Sequence, residues 1–442
     1  MGDVLRRQWR ELRLNVRPRE FAYWLVQNFL LLVFTFTMRV QVFGGEHYAR
    51  AAAATLLLCG HKRDWDPLLC ATHLYYQRGW WRPDGRRMAF VGREDMFTRG
   101  FLAEIVGYRE WPRWTRWLLD HVTLTPIIAP LRAYPIVRLL EFSTRQYLFE
   151  LREEQGDLPL TEVFSDEFLE ESGGRELRIS DILTWNYRER LMVRLRRRSL
   201  LPERYEAYKT RQRQKITRQV QAAVGALARG DTLWLAPEGM ITQDGAPRRV
   251  RESLHEMLAL MPSDTRSLPA NVTYDFMTTG RMRACISVGP PLAGLEQLER
   301  RNLGKAVMMA ITGQTVVTMS MLGSRFLWER LQQEQPVFTF EAAWAALARN
   351  VQLFAKQGAI LEPGLRDARQ ARRRLRAFLA YGLRHGLFNR QPDRARAYRV
   401  NPAPFQQQRE SFFWLNPRYS INELAALESA LALRARSIIA HP

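Results

Sequence analysis

Two short apolar runs, each halted by a turn, constrain this chain more than any other feature. The first, Thr55-Leu56-Leu57-Leu58-Cys59, stops at Gly60. The second, Thr232-Leu233-Trp234-Leu235-Ala236, stops at Pro237-Glu238-Gly239. Length, apolar content and the bounding turn residues make each a buried strand. Ahead of the second run, residues 203–229 repeat with a helical period that puts Ile216, Val220, Val224 and Leu227 on one stripe, and Gly230-Asp231 ends that helix. Turns at the ends of buried strands are favoured places for chemistry, and both of these carry ionisable groups.

The first run leads into His61-Lys62-Arg63-Asp64-Trp65-Asp66-Pro67. With an ordinary pKa of about 6.5, histidine is mostly neutral near pH 7 and suits the work of a general base. A carboxylate on its second ring nitrogen would fix the tautomer and stabilise the imidazolium as it forms. Asp66 and Asp64 are both candidates. In one straight helix His61 and Asp66 would point about 140° apart and could not pair. Proline disfavours helix in the residue before it and fits the first helical position. The spacing therefore predicts a loop from His61 to Asp66 and a helix starting near Pro67, whose backbone N–H groups are candidates for stabilising an oxyanion. In the plainer alternative Asp66 is only an N-cap, His61 a turn residue, Glu238 a solvated loop carboxylate and Gly239 an ordinary turn glycine. The remaining histidines show no paired ligand spacing, so no metal site is expected.

Taken together, His61-x-x-x-x-Asp66 and Pro237-Glu238-Gly239 resemble the motifs of the glycerolipid acyltransferase family, whose members include 1-acyl-sn-glycerol-3-phosphate acyltransferases. The resemblance implies an α/β fold, a mixed sheet flanked by helices. It implies His61 as general base and Asp66 as the group that orients it. Glu238 and Gly239 would then meet the acceptor's glycerol hydroxyl or phosphate region. Between its two main motifs the family has a strand ending in a phosphate-binding arginine, and Ala133-Tyr134-Pro135-Ile136-Val137-Arg138 offers Arg138 for that place. The guanidinium fork is well matched to phosphate oxygens. Met88 to Arg93 and Arg283 to Val288 read as strands, and Pro269 to Tyr274 resembles the family's fourth motif. The chain also departs from the pattern. Gly60 stands where an asparagine usually precedes the histidine, Arg63 stands two after it where a small polar residue is usual, and Met240-Ile241 replaces Thr-Arg. The cation expected at that last place is missing, with Arg248, Arg249 or Arg251 as possible substitutes.

The chain has 442 residues, 46% of them hydrophobic, enough for one sizeable domain and a smaller one. Three scattered cysteines make no disulfide framework and suit a reducing compartment. The net charge of +21 calls for a polyanionic partner, and both nucleic acid and anionic membrane qualify. The N-terminus favours membrane lipids, with no nucleic acid expected. Arg6, Arg7, Arg10, Arg13, Arg17 and Arg19 precede the apolar stretch Phe21 to Met38, a basic surface segment followed by an anchor. At 18 residues that stretch is at the lower limit for spanning, and an interfacial or re-entrant helix is expected.

The expected organisation is a basic, apolar membrane-associating segment over residues 1–44, including an N-terminal membrane helix. An acyltransferase domain follows over 45–298, with a helical insertion or lid at about 143–202, and a helical C-terminal region covers 299–442. Ala306 to Leu322 is expected to be a packed helix. The activity expected is transfer of a fatty acyl group from acyl-CoA or acyl carrier protein, as co-substrate, to a hydroxyl of lysophosphatidic acid or a related glycerophosphate acceptor. It is placed on the cytoplasmic face of the inner or plasma membrane, with no cofactor. Glycerol-3-phosphate is an alternative acceptor. A non-catalytic binder of anionic membrane or nucleic acid on the same scaffold is an alternative of another class.

Overall fold

The computed structural model describes residues 18–51, 54–78, 87–93, 97, 131–136, 144–172, 174–183, 199–242, 244–392, 394, 396–406 and 417–440. In chain order the elements used below are α1 (Pro18–Thr37), β1 (Met38–Phe43), β2 (Thr55–Cys59), α2 (Asp66–Tyr75), β3 (Met88–Arg93) and β4 (Ala133–Ile136). After them come α3 (Thr144–Gln155), α4 (Asp166–Ser172), α5 (Pro202–Ala228), β5 (Thr232–Leu235), β6 (Arg266–Asp275) and β7 (Met282–Val288). The remainder comprises α6 (Arg300–Thr312), β8 (Val316–Val317), α7 (Met319–Gln332), β9 (Val337–Thr339), α8 (Phe340–Lys356), β10 (Ile360–Leu361), α9 (Ala368–Arg384), β11 (Phe388–Arg390), β12 (Ala397–Val400) and α10 (Pro417–Ala440). The chain divides into two compact units, one of residues 1–90, 130–132 and 224–442, the other of 91–129 and 133–223.

In the first unit the strands lie in the order β1-β7-β6-β2-β5-β3. β2 runs parallel to both β5 and β6, β3 parallel to β5 and β1 parallel to β7. The β6–β7 pair is antiparallel, so the sheet is mixed. Every residue of β2 and β5 is buried, as their unbroken apolar sequences require. Because these two strands are parallel neighbours, the segments that follow them, His61 to Asp66 and Pro237 to Gly239, emerge at the same end of the sheet. Ligands in α/β folds bind at that carboxyl end.

The apolar N-terminal stretch forms helix α1, but it ends at Thr37; Met38 is already the first residue of β1 and pairs with Met282. The α1 helix is docked by its inner face. Tyr23, Gln27 and Phe34 are buried, and Gln27 Oε1 accepts a 2.8 Å hydrogen bond from Thr72 of α2. Its outer face leaves Phe21, Leu25, Phe29, Leu32, Val33 and Phe36 exposed. No helix among the described residues is long and apolar enough to cross a membrane. Arg6 to Arg17 lie outside the described residues.

Residues Ala306 to Leu322 do not form one helix. Gly313, Gln314 and Thr315 break it, β8 follows, and α7 begins only at Met319 with the Thr318 side chain as its N-cap. The region after residue 299 is also less purely helical than its pattern predicts. It contains a small antiparallel sheet in the order β11-β12-β9, on which Phe388 meets Phe338 and Tyr398 edge to face while those two rings stack on each other. Helix α9 ends at Arg384, and the αL glycine Gly386 turns the chain into β11.

The second unit has its own core, built from Tyr147, Leu148 and Leu151 of α3 with Leu160, Phe164 and Ile179. Asp157 holds its short segments together by accepting from the Ser180 N–H and hydroxyl, both at 2.7 Å. These bonds hold the Asp157 carboxyl below the usual carboxylate range.

Candidate active site

Asp66 is fully buried at the first position of α2 and organises the loop before it. Its Oδ2 accepts from the backbone N–H of Lys62 at 2.6 Å and of Arg63 at 2.8 Å. The same oxygen lies 3.4 Å from His61 Nδ1. Its other oxygen accepts from the Tyr274 hydroxyl, which reaches it from β6. One carboxylate thus folds the loop and faces the imidazole. Asp64 is exposed, so of the two candidate partners the geometry selects Asp66. The loop N–H groups of Lys62 and Arg63 are taken up by Asp66, which removes both from the set available to an oxyanion.

The His61 ring is packed against Trp234 of β5, with centroids 5.3 Å apart and planes at 79°. Nδ1 faces Asp66 and the side chain keeps 17% exposure, so part of it is reachable from outside. A Cβ on Gly60, just before it, would lie 3.0 Å from Asn271 Oδ1, a close contact that the Asn271 side chain would have to relieve.

The second motif is tied to the first through Thr242. Its N–H donates to the His61 carbonyl at 2.7 Å, and its hydroxyl donates to Glu238 Oε2 at 2.9 Å. Glu238 is buried, and its Oε1 accepts from the Arg248 N–H at 2.9 Å. Burial pushes its carboxyl above the ordinary range, against the pull of the Arg248 N–H, the Thr242 hydroxyl and the nearby Lys62 charge. Gly239 has φ of +68°, and a Cβ on it would sit 3.1 Å from Arg251 Cγ. The position admits glycine for both reasons. The three nearby arginines offered as phosphate partners differ in their surroundings. Arg248 bonds Glu238 through its backbone, Arg251 donates to the Glu238 carbonyl at 3.1 Å, and Arg249 points into solvent.

His61, Asp66, Glu238 and Gly239 are therefore brought together at one sheet end, whereas Arg138 lies outside the described residues. Several participants had no signal in the motifs. Tyr274 ends the run that resembles the family's fourth motif, but nothing in that run marked its hydroxyl as a partner of Asp66. The Lys62 ammonium, beside the histidine, forms a buried ion pair with Glu423 of α10, 361 residues away. The same helix holds the second loop, since Asn422 Nδ2 donates to the Asp244 carbonyl at 2.8 Å and Gly245 lies against the Tyr419 carbonyl. The one clue was compositional, since Lys62 is one of only five lysines in a chain with 66 lysines and arginines.

The cysteines are poor nucleophile candidates. Cys59, Cys70 and Cys285 are all buried and free, and burial pushes the Cys285 thiol up to about 12. Cys70 is raised by its hydrogen bond to Cys59 and by burial. Among the described residues no group of three or more His, Cys, Asp or Glu side chains is placed to hold a metal ion.

No family model matches the chain, and no curated protein matches its sequence. Among solved structures, the 1-acyl-sn-glycerophosphate (LPA) acyltransferase PlsC from Thermotoga maritima aligns with 69% of this chain and 84% of its own, at 12% identity and a TM-score of 0.32.

Proposed function

We propose that the chain is an O-acyltransferase that moves a fatty acyl group from a thioester donor to a hydroxyl of a glycerophosphate lipid. The observation that carries this is the His61–Asp66 pair, with Nδ1 turned to a buried carboxylate on a side chain that keeps 17% exposure. In the proposed step His61 Nε2 takes the acceptor's hydroxyl proton as the oxygen attacks the thioester carbonyl. The thiolate leaves and recovers the proton from the imidazolium, which Asp66 stabilises meanwhile. Raised, buried thiols support direct transfer without an acyl-cysteine. Glu238, held by Thr242 and the Arg248 N–H, and Gly239, which lets the backbone approach, are proposed to hold the acceptor. Arg138 is proposed to meet the acceptor's phosphate.

The donor is acyl-CoA or acyl carrier protein, and the acceptor lysophosphatidic acid or, in a second version, glycerol-3-phosphate. The proposed location is the cytoplasmic face of the membrane, reached through the exposed apolar face of α1 and the arginines before it. The test is to incubate the purified chain with labelled acyl donor and a panel of lysolipids and glycerol-3-phosphate, beside His61→Ala. Transfer that falls by about 10²–10⁴-fold in the variant supports the mechanism; equal transfer by both proteins rejects it.

A further inference from the structure

A cavity lies outside the site just described. It measures about 400 Å³ and is lined by Arg39 of β1, Arg281 and Arg283 from the β6–β7 turn and β7, and Arg373, Arg374 and Arg376 of α9, with Thr278 and Thr279 beside them. No acidic residue lines it. Two carboxylates behind it are already spent. Asp275 pairs with Arg374, and Glu362 pairs with both Arg374 and Arg283. Six arginines against two carboxylates leave four positive charges unbalanced around one concavity. Arg39, Arg281, Arg373 and Arg376 are all exposed and have no ion-pair partner among the described residues. Arg376 lies over the Phe340 ring at 5.7 Å, whereas the neighbouring Arg372 both lies over Trp344 and reaches Glu341 at 3.8 Å. An ordinary solvated cationic face spreads its charges along a helix. Here they converge from three separate elements, which is the arrangement that favours a bound anion.

The cavity's position says which anion. Arg281 Nη1 donates to the Thr35 carbonyl at 2.7 Å, so the rim is fastened to the last turn of α1. The next residue, Phe36, is 71% exposed and continues the stripe of Phe29 and Leu32. A phosphate joined to apolar chains exists where hydrocarbon meets water, and that boundary is what an exposed apolar stripe ending at a cationic hollow matches. A free phosphate would have no use for the stripe.

We propose that this cavity binds the phosphate headgroup of an anionic phospholipid at the bilayer surface, with α1 lying in the interface beside it. The proposal deepens the membrane association put forward above and rests on it. Guanidinium forks from Arg39, Arg373 and Arg376 would take the phosphate oxygens, and the Thr278 and Thr279 hydroxyls can donate to those left over.

The experiment measures binding of the full chain to phosphatidylcholine vesicles with and without phosphatidic acid. It compares the wild type, the triple variant Arg39→Gln/Arg373→Gln/Arg376→Gln, and a charge-matched triple remote in sequence, Arg300→Gln/Arg301→Gln/Arg349→Gln. The wild type should prefer phosphatidic acid, and the cavity variant should lose about a hundredfold in that affinity, well beyond the charge-matched one. Equal losses in the two triples would overturn the proposal. So would calorimetric binding of inorganic phosphate that phosphatidic acid vesicles do not displace, or displacement of the wild type from vesicles by a single-stranded oligonucleotide. Acyl transfer in detergent separates this from the active-site reading. The cavity variant should transfer at the wild-type rate there, and a loss would return these arginines to the acceptor site and overturn the headgroup assignment. A wild type that binds vesicles with no transfer at all refutes the enzyme instead. The variant Leu25→Gln/Phe29→Gln/Leu32→Gln tests the membrane premise alone: unchanged binding to both vesicle types would remove the support for a lipid ligand.

Discussion

Asp66→Asn is the substitution that separates the catalytic role proposed for the His61 loop from its structural role. Three firm hydrogen bonds end on the Asp66 carboxylate, from the Lys62 and Arg63 N–H groups and the Tyr274 hydroxyl. An asparagine can keep all three. Its amide oxygen takes the two backbone donors, and its NH₂ turns to Tyr274, whose hydroxyl then accepts. What is lost is charge assistance, about 1 kcal/mol per bond, so about 3 kcal/mol in all. That is tolerable against a typical stability of about 5–15 kcal/mol. Alanine would instead strand two buried N–H groups and a buried phenol, at about 1–3 kcal/mol each, and would confuse unfolding with loss of chemistry. In the Asn variant His61 Nδ1 still has a polar neighbour, but the imidazolium formed during transfer has no counter-charge. Turnover at saturating donor and acceptor should fall on the order of 10²–10⁴-fold, while the circular dichroism spectrum stays that of the wild type. Retention of more than about one-tenth of wild-type turnover would refute the pairing. A comparable loss in the exposed Asp64→Asn would move the role to the other carboxylate.

Three further outcomes follow from the same geometry. Gly239→Ala should cost about 1–2 kcal/mol, because a side chain disfavours the left-handed φ and its Cβ crowds Arg251; denaturant midpoints measure it, and an unchanged midpoint contradicts it. Glu423→Gln should cost about 3–5 kcal/mol by leaving the Lys62 ammonium buried and unpaired, while Lys62→Met/Glu423→Leu should recover most of that; a double variant worse than the single would show that the pair itself stabilises. Glu238 binds its proton more tightly folded than unfolded, because burial raises its carboxyl. Its contribution to stability is therefore full below the ordinary glutamate value of about 4.3 and falls as pH rises from there through the raised value. Glu238→Gln should flatten that decline in melting temperature against pH, and an unaltered slope would show that the group's proton affinity does not change on folding.

Much of the site was legible because it is encoded locally. Asp66-Pro67 dictates a turn followed by a helix start, and the apolar runs before His61 and Glu238 can only be strand in so buried a setting. What escaped is non-local. Tyr274 meets Asp66 across 208 residues, and Glu423 meets Lys62 across 361; no periodicity in either segment points to the other. The β1 strand escaped for a different reason. Its sequence, Met38 to Phe43, follows the apolar helix without a glycine or proline to mark the change, and only pairing with β7 fixes where helix gives way to strand. The breaks inside Ala306 to Leu322 and the strands β9, β11 and β12 are too short for an alternating pattern to emerge over the helices around them. The place of those three strands is set by the aromatic cluster of Phe338, Phe388 and Tyr398. Arg138 rested on the resemblance alone, without a local signal comparable to Asp-Pro.

The anchoring of the His61 loop to α10 has a consequence for how the molecule comes into being. Strands β2 and β5 and both motifs have left the ribosome long before residue 417 is made. At that stage Lys62 has no counter-charge and the Asp244–Gly245 turn has nothing to lean on. The ion pair that completes the loop closes a circuit of 361 residues, a late and entropically costly event in folding. A chain interrupted before α10 would contain every residue assigned to the chemistry and still lack the clamp that aligns them. In the proposed enzyme, truncation before α10 should therefore leave both motifs present and the transfer impaired.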